Sequence, residues 1–298
     1  MTGKERIISR NMPGTLYVVA TPIGNLADIT HRAIQILNDV DLIACEDTRH
    51  TRKLLQHYGI TTRTVSYHEH NEQQRAGELI ELLREGKDVG VVSDAGTPGI
   101  SDPGFRLVRL AIEQSVPVVA APGPSALITA LVASGLPTDE FFFDGFLPAR
   151  SGARQARLRA LRSVPGTLIF YEAPHRLAAT LKDAREILGE REAVVARELT
   201  KLHEEIRHGL LGELAMHYGV EVNPRGEIVL LIDRNTIKTD EAPASDPIKT
   251  VTALVERLEK DGLDHRAALK KAARELGLSR AEAYRRLVAE RSRSDQRE

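Results

Sequence analysis

The chain has 298 residues, 41 Lys+Arg against 42 Asp+Glu for a formal net charge of −1, and 42% hydrophobic residues. That balance excludes a polybasic coat for nucleic acid and an acidic disordered chain, and the length suits about two or three folded domains. A single cysteine, Cys45, excludes a disulfide framework, leaves nothing to complete a cysteine-based zinc site, and points to a reducing compartment. No apolar run approaches the ~18–20 residues of a membrane span. Residues 1–12 carry charge but no apolar signal core, so a cytoplasmic protein without membrane association is expected. Tryptophan is absent and aromatics are 4%, which argues against base-stacking recognition of single strands.

Residues 16–20 (Leu-Tyr-Val-Val-Ala) read as a short strand, stopped by the turn chemistry of Thr21-Pro22-Ile23-Gly24-Asn25. Thr30 can cap a helix carrying Ala33, Ile34, Ile36 and Leu37. The unit then repeats, with strands over 41–45, 64–67, 88–92 and 117–121. A helix follows each: one after Glu46-Asp47-Thr48-Arg49, one with Leu79, Ile80, Leu82 and Leu83, one over 105–112, and one starting at Ser125. Strand, loop and helix in repetition predict an α/β fold, a parallel sheet with helices on both faces. Ligands in such sheets bind at the loops after strand C-termini, here those at Pro22, Glu46, His68, Asp94 and Pro122.

The pattern breaks near 137–148. Phe141-Phe142-Phe143 is too apolar to stand exposed and reads as an edge or core strand. Residues 150–162 then carry Arg150, Arg154, Arg157, Arg159 and Arg162 without one acid. Strands over 167–171, 193–197 and 228–232 and a helix over 176–188 make a second α/β lobe with parallel or mixed strands. Residues 248–298 hold 13 Lys+Arg and 9 Asp+Glu and read as three helices, 251–260, 264–276 and 279–290. Gly277 and Ser279 between the last two suit a C-cap and an N-cap, a helix–turn–helix outline. The expected organisation is a lobe over 13–123, a second over 124–234, a linker over 235–247 and a helical module over 248–298.

The densest chemical signal is residues 93–104, Ser-Asp-Ala-Gly-Thr-Pro-Gly-Ile-Ser-Asp-Pro-Gly. Its glycines let a ligand approach the main chain closely. It holds no lysine and matches neither G-x-x-x-x-G-K-[ST] nor G-x-G-x-x-G, which argues against a phosphate cradle. An acidic, glycine-rich pocket suits a ligand with cationic groups or ribose hydroxyls. Ala121-Pro122-Gly123-Pro124-Ser125-Ala126 is the companion loop, which alone reads as a turn with a serine cap. Glu46-Asp47-Thr48-Arg49 reads equally as helix capping, because acids at a helix start favour its dipole. His68-Glu69-His70-Asn71-Glu72 lacks a distant partner motif for a metal and reads as a loop or substrate rim, so no metal site is expected. Arg197-Glu198-Leu199-Thr200-Lys201, with Glu204, reads as an ion network or a catalytic rim.

Taken together, VVATPIGNLADIT, ACEDTRHTRKLL, SYHEHNE, VSDAGTPGISDPGF, APGPSA, FYEAPHR, ARELTKLHEE and GEIVLLI resemble the ribosomal RNA small subunit methyltransferase I family of the tetrapyrrole methylase superfamily. The resemblance runs from about residue 14 to 232. It implies S-adenosylmethionine-dependent 2′-O-methylation of a cytidine ribose in the decoding region of small-subunit rRNA, free or in the 30S subunit. It also implies two α/β lobes with the cofactor between them, and a homodimer. On the family pattern Pro22, Ala95, Gly96, Thr97, Ile100, Ser125, Ala126, Glu172, Leu199 and Gly226 line the cofactor. Thr97 stands where tetrapyrrole enzymes carry aspartate, and Asp94 is the carboxylate expected to compensate. Candidates for a general base are Asp47, His68, Glu204 and a neutral Lys201, the first two ranked ahead. Arg49, Arg150, Arg154, Arg157 and Arg159 are expected to meet RNA. Two readings compete: a methyltransferase of a small tetrapyrrole, which needs neither the arginine stretch nor the basic tail, and a non-enzymatic DNA-binding regulator that senses a ligand in the α/β lobes.

Overall fold

Five short apolar runs pair side by side in the first sheet: β1 (Leu16–Val19), β2 (Leu42–Cys45), β3 (Thr64–Ser66), β4 (Val89–Val92) and β5 (Val118–Ala121). Their order is β3-β2-β4-β1-β5 and every pairing is parallel. The computed structural model describes residues 12–221, 224–234, 251–260 and 262–276, with 278, 283, 284 and 287 beyond. Parallel neighbours need crossover helices, which cover both faces. Helices α1 (His31–Asp39) and α2 (Thr48–His57) bury Ala33, Leu37, Leu54 and Leu55 against Val19, Ile43 and Cys45. Helices α3 (Glu72–Arg84) and α4 (Phe105–Glu113) bury Leu79, Leu83, Leu107 and Ala111 against Leu16, Ala44 and Val91. Residues 43 and 44 thus face opposite cores, as the period of two along a strand requires. Thr30 caps α1 as expected, its hydroxyl oxygen accepting from Ala33 N at 3.1 Å.

Helix α5 (Ala126–Ala133) leads into the second sheet: β6 (Phe141–Phe146), β7 (Thr167–Glu172), β8 (Glu192–Arg197), β9 (Glu205–Leu210) and β10 (Ile228–Ile232), in the order β6-β7-β10-β8-β9. Only β6 and β7 run parallel, so the sheet is mixed. Helices α6 (Ser151–Leu161), α7 (Leu177–Leu188) and α8 (Leu211–Met216) cover one face through Leu158, Leu181 and Leu214 packed on Leu168, Phe170 and Leu230. The other face carries Ile169, Val194, Ala196 and Val229, and packs on Leu127 and Leu131 of α5 and on Ile23 from the loop after β1. Ile23 therefore joins the two sheets through one apolar cluster.

Three local expectations change. β6 is the edge strand, but its phenylalanines are not shielded: Phe141 is 44% and Phe146 56% exposed. The arginine stretch, an unbroken basic run in the sequence, is helix α6 with Arg150 and Arg162 at its caps. Strand β9 is not evident from the sequence because its run, Glu-Ile-Arg-His-Gly-Leu, is polar and half exposed, and it takes its register from β8, from Glu192↔Leu210 to Arg197↔Glu205.

The chain divides into two compact units, residues 1–235 and 236–298. The second has a core of its own. Helices α9 (Val251–Lys260) and α10 (His265–Glu275) bury Leu254, Val255 and Leu258 against Ala268, Leu269 and Ala272, with Ala283 and Leu287. Asp264 caps α10, accepting from Arg266 N and Ala267 N. The expected linker over 235–247 and the Gly277 and Ser279 caps lie outside the described residues, as does the last helix apart from 283, 284 and 287.

Candidate active site

Parallel strands end at one edge, so the loops after β1, β4 and β5 meet there. Thr21 and Gly96 bond as an isolated antiparallel bridge, Thr21 N to Gly96 O at 2.8 Å and Gly96 N to Thr21 O at 3.0 Å. The buried Thr21 hydroxyl donates to Ser93 O at 3.1 Å, and the Thr97 hydroxyl donates to Pro124 O at 3.2 Å. Glycine is required at two of these positions. Gly96 has φ +79°, and a Cβ there would stand 3.3 Å from Ile23 Cγ2. At Gly123 a Cβ would stand 2.9 Å from that of Ala20, so the β5 loop could not lie against β1.

These loops wall one side of a cleft of about 360 Å³; the second sheet supplies the other through Tyr171 and Glu172 of β7, Ala196 of β8, Leu199, Gly226 and β10. The volume is in the range of small-molecule sites. Of the residues assigned to the cofactor by resemblance, Ala95, Gly96, Thr97, Ile100, Ser125, Ala126, Glu172, Leu199 and Gly226 all line it. Pro22 and Asp94 line an adjoining hollow of about 520 Å³ instead, with His50 and Lys201. The Asp94 carboxylate is turned to the main chain, accepting from Asp47 N at 3.0 Å. The expectation that Asp94 compensates for Thr97 at the cleft is thereby corrected: the carboxylate of this loop that lines the cleft is Asp102.

No lysine, arginine or histidine is among the residues lining the cleft, and three carboxylates are. Glu172 is 2% exposed and fully engaged. Its oxygens accept from Thr180 Oγ1 at 2.5 Å and from Ala173 N at 2.8 Å, and Arg176 Nε stands 3.0 Å away. Glu227 pairs with Lys201 Nζ at 3.1 Å, and Lys201 also pairs with Glu198 at 2.9 Å. Burial favours the neutral form of Lys201, but hydrogen bonds to Glu198 and Glu227 outweigh it and raise its pKa above the ordinary lysine value. The ion-network reading of this segment fits, and a neutral Lys201 base does not. Burial first, and then the Glu46 carboxylate, push Asp102 up to about 6, while the Ser93 hydroxyl pulls the other way.

The remaining sequence candidates scatter. The Asp47 carboxylate caps α2 and binds Arg49 through Nε at 3.1 Å and a terminal nitrogen at 2.8 Å, which holds it well below the ordinary carboxylate range. A carboxylate so held is a weak proton acceptor, and Asp47 lines neither hollow. Glu204 is exposed and accepts from Thr200 N at 2.5 Å. His68 sits against Asn71, its Nε2 3.3 Å from Nδ2, with Nδ1 buried and unpartnered. Among the arginines, Arg154 is 3% exposed and its Nε bonds Asp183 at 2.7 Å, so it does not face RNA. Arg157 is clamped to Asp144. Arg49, Arg150 and Arg159 are exposed. Sequence reasoning missed Asp102, Glu227 and Tyr171, all of which line the cleft. The signal for Asp102 was the second carboxylate of the 93–104 loop; Tyr171 offered none.

Residues 15–215 match the family described as Tetrapyrrole (Corrin/Porphyrin) Methylases. The protein named Ribosomal RNA small subunit methyltransferase I from Mesorhizobium japonicum is 48% identical over 289 residues, 97% of this chain and 96% of that one. Its namesake from Escherichia coli O157:H7 is 50% identical over 253 residues, 84% and 88% of the two chains. Among solved structures, the uroporphyrin-III C-methyltransferase of Thermus thermophilus complexed with S-adenyl homocysteine shares the fold at TM-score 0.52 and 22% identity, over 73% of this chain and 97% of that one.

Proposed function

This chain belongs to the ribosomal RNA small subunit methyltransferase I family within the tetrapyrrole methylases, and on that premise we propose that it transfers a methyl group from S-adenosylmethionine to a cytidine ribose 2′-oxygen in the decoding region of small-subunit rRNA. The carrying observation is the cleft between the two sheets, walled by glycine loops and three carboxylates with no cationic lining residue. That donor set fits a ligand bearing a sulfonium and an ammonium, and offers no grip for a triphosphate. Gly96, Thr97, Ser125 and Ala126 would hold it from the first sheet, and Leu199 and Gly226 from the second. The sulfonium supplies an already activated methyl group. The protein's share is to exclude water, hold the ribose in line with the methyl carbon, and take up one proton. Positioning of this kind can lower the barrier by ~7–11 kcal/mol.

The RNA is held, in this reading, by the exposed Arg49, Arg150 and Arg159 and by the +4 tail. Ribosomal substrate in turn makes the protein cytoplasmic. A homodimer belongs to the same proposal; exposed Phe105, Ile112 and Val132 offer apolar surface for it, and sedimentation equilibrium tests it. The decisive experiment maps ribose methylation on small-subunit rRNA from cells with and without this protein. A decoding-region cytidine that loses its 2′-O-methyl group without the protein is the expected result. An unchanged methylation pattern, or calorimetry showing no uptake of S-adenosylmethionine, would overturn the proposal.

A further inference from the structure

The cleft continues into two further hollows of unlike charge. Ser101 and Asp102 join it to an open groove of about 740 Å³. Five carboxylates line that groove, Glu46, Glu69 and Glu72 among them, against only Arg106 and Arg109. Both arginines are already paired, Arg106 with Glu72 at 3.2 Å and Arg109 with Glu113 at 2.9 Å. A polyanion is repelled from such a lining. On another side, Ile23, Ala95 and Glu227 join the cleft to the hollow of about 520 Å³. Both carboxylates there are engaged, Asp94 by Asp47 N at 3.0 Å and Glu227 by Lys201 at 3.1 Å. His50 and Lys53 of α2 complete its polar lining.

Helix α2 carries Arg49, His50, Arg52, Lys53 and His57 and not one acid. Thr51, Leu54 and Leu55 face inward, the leucines in one cluster with Ile43 and Cys45. The helical period therefore turns all five basic side chains outward, and all five are exposed. Among the described residues no carboxylate pairs with Arg52 or Lys53. Arg49 binds Asp47 at 2.8 Å, but with its side chain 86% exposed, and a phosphate can displace so open a pair.

Neighbouring helices differ. In α3, Arg75 pairs with Glu78 and Arg84 with Glu81, and in α4 Arg109 pairs with Glu113. A face that only had to be solvated could carry interleaved acids as those do. On a chain of net charge −1, Arg49, Arg52 and Lys53 concentrate three positive charges within about one helical turn, beside a hollow that opens into the cleft.

We propose that α2 is the docking rail for the rRNA backbone: Arg49, Arg52 and Lys53 bind phosphates flanking the target nucleotide, which reaches the cleft past His50 through the adjoining hollow and not through the acidic groove. The inference takes its RNA substrate from the function proposed above and rests on that reading. Contacts to phosphate fix where the RNA lies and carry no base preference. None of the three cations lines the cleft, so they act on RNA binding and not on methyl transfer itself.

The test compares the wild type with two double variants that each lose two positive charges, Arg52→Ala/Lys53→Ala on α2 and Arg106→Ala/Arg109→Ala on the acidic groove. Methylation of unmethylated 30S subunits gives kcat and KM, filter binding across a salt series gives affinity for the subunits, and calorimetry of S-adenosylmethionine with thermal melting checks the cleft and the fold. The α2 variant is expected to raise KM ~10-fold and to lower the log–log salt slope by ~1.4, ~0.7 for each of two phosphates, with kcat, cofactor affinity and melting unchanged. The groove variant is expected to stay near the wild type in KM and slope. An α2 variant with wild-type KM and salt slope overturns the proposal. So does a groove variant that loses as much affinity as the α2 variant, or an α2 variant that loses kcat with KM unchanged. A wild type that binds 30S subunits but methylates no ribose overturns the function proposed above instead, and the salt slopes of the two variants still decide the rail; a wild type that binds no 30S subunits overturns the rail itself.

Discussion

Arg154 and Arg159 lie five residues apart in one run of arginines, and the fold gives them opposite fates. Arg154 is sealed against Asp183, which also accepts from Ser151 at 3.0 Å and Gln155 at 3.0 Å. Burial pushes the Asp183 carboxyl up, but hydrogen bonds from Gln155, Arg154 and Ser151 outweigh it and hold it below its ordinary value. A depressed carboxyl contributes stability that is present above the unfolded-state value, about 3.9, and is lost as pH falls through the folded one. Arg154→Ala strands a buried charge and is expected to destabilise by ~3–5 kcal/mol in urea unfolding. Arg159→Ala should shift stability by no more than ~0.5 kcal/mol while weakening RNA binding. Equal stability for the two variants would show that the Arg154–Asp183 pair is not a structural clamp.

At the scale of elements, what positions the cleft is a set of strand-to-helix loops pinned to one another. The Thr21–Gly96 bridge ties the β1 loop to the β4 loop, and Thr97 ties the β4 loop to the β5 loop. Gly96→Ala would force a side chain into left-handed backbone, about 1–2 kcal/mol of strain, and bring its Cβ against Ile23 at the cleft wall. Calorimetry is expected to show affinity for S-adenosylmethionine falling ~10-fold, the equivalent of ~1.4 kcal/mol. Gly77 in α3 is the control: a Cβ there meets nothing within 4 Å, and Gly77→Ala should stabilise by ~0.5–1 kcal/mol with cofactor affinity unchanged. Both glycines are plain letters in the sequence, and only φ and neighbours separate them.

For the whole molecule, every residue lining the cleft lies between Ile23 and Val229, within the first compact unit. Ending the chain after residue 235 is therefore expected to leave cofactor affinity intact. Because that truncation removes a segment of net charge +2 that includes the thirteen Lys and Arg of residues 248–298, rRNA binding should weaken and become less steep with salt, by ~0.7 in log–log slope for each phosphate the tail neutralises. An unchanged salt slope would mean that the tail touches no RNA. No helix among the described residues is long and apolar enough to cross a membrane.

The first sheet was legible because each strand is a short apolar run closed by turn residues, and local chemistry of that kind is written in adjacent letters. Nine of the eleven residues assigned to the cofactor by resemblance line the cleft, since glycine and proline fix backbone paths wherever they occur. Strand β9, the fate of each arginine and the place of Asp102 were not legible. They depend on partners distant in the chain: β9 on β8, Arg154 on Asp183 29 residues away, Asp102 on a cleft wall contributed by β7 and β10. Sequence by itself determined the α/β alternation, the glycine loops and the excess of positive charge over 150–162. Only the tertiary structure decided which of those charges are neutralised and which carboxylate of the 93–104 loop lines the cleft, because ion pairing and desolvation are properties of neighbours in space.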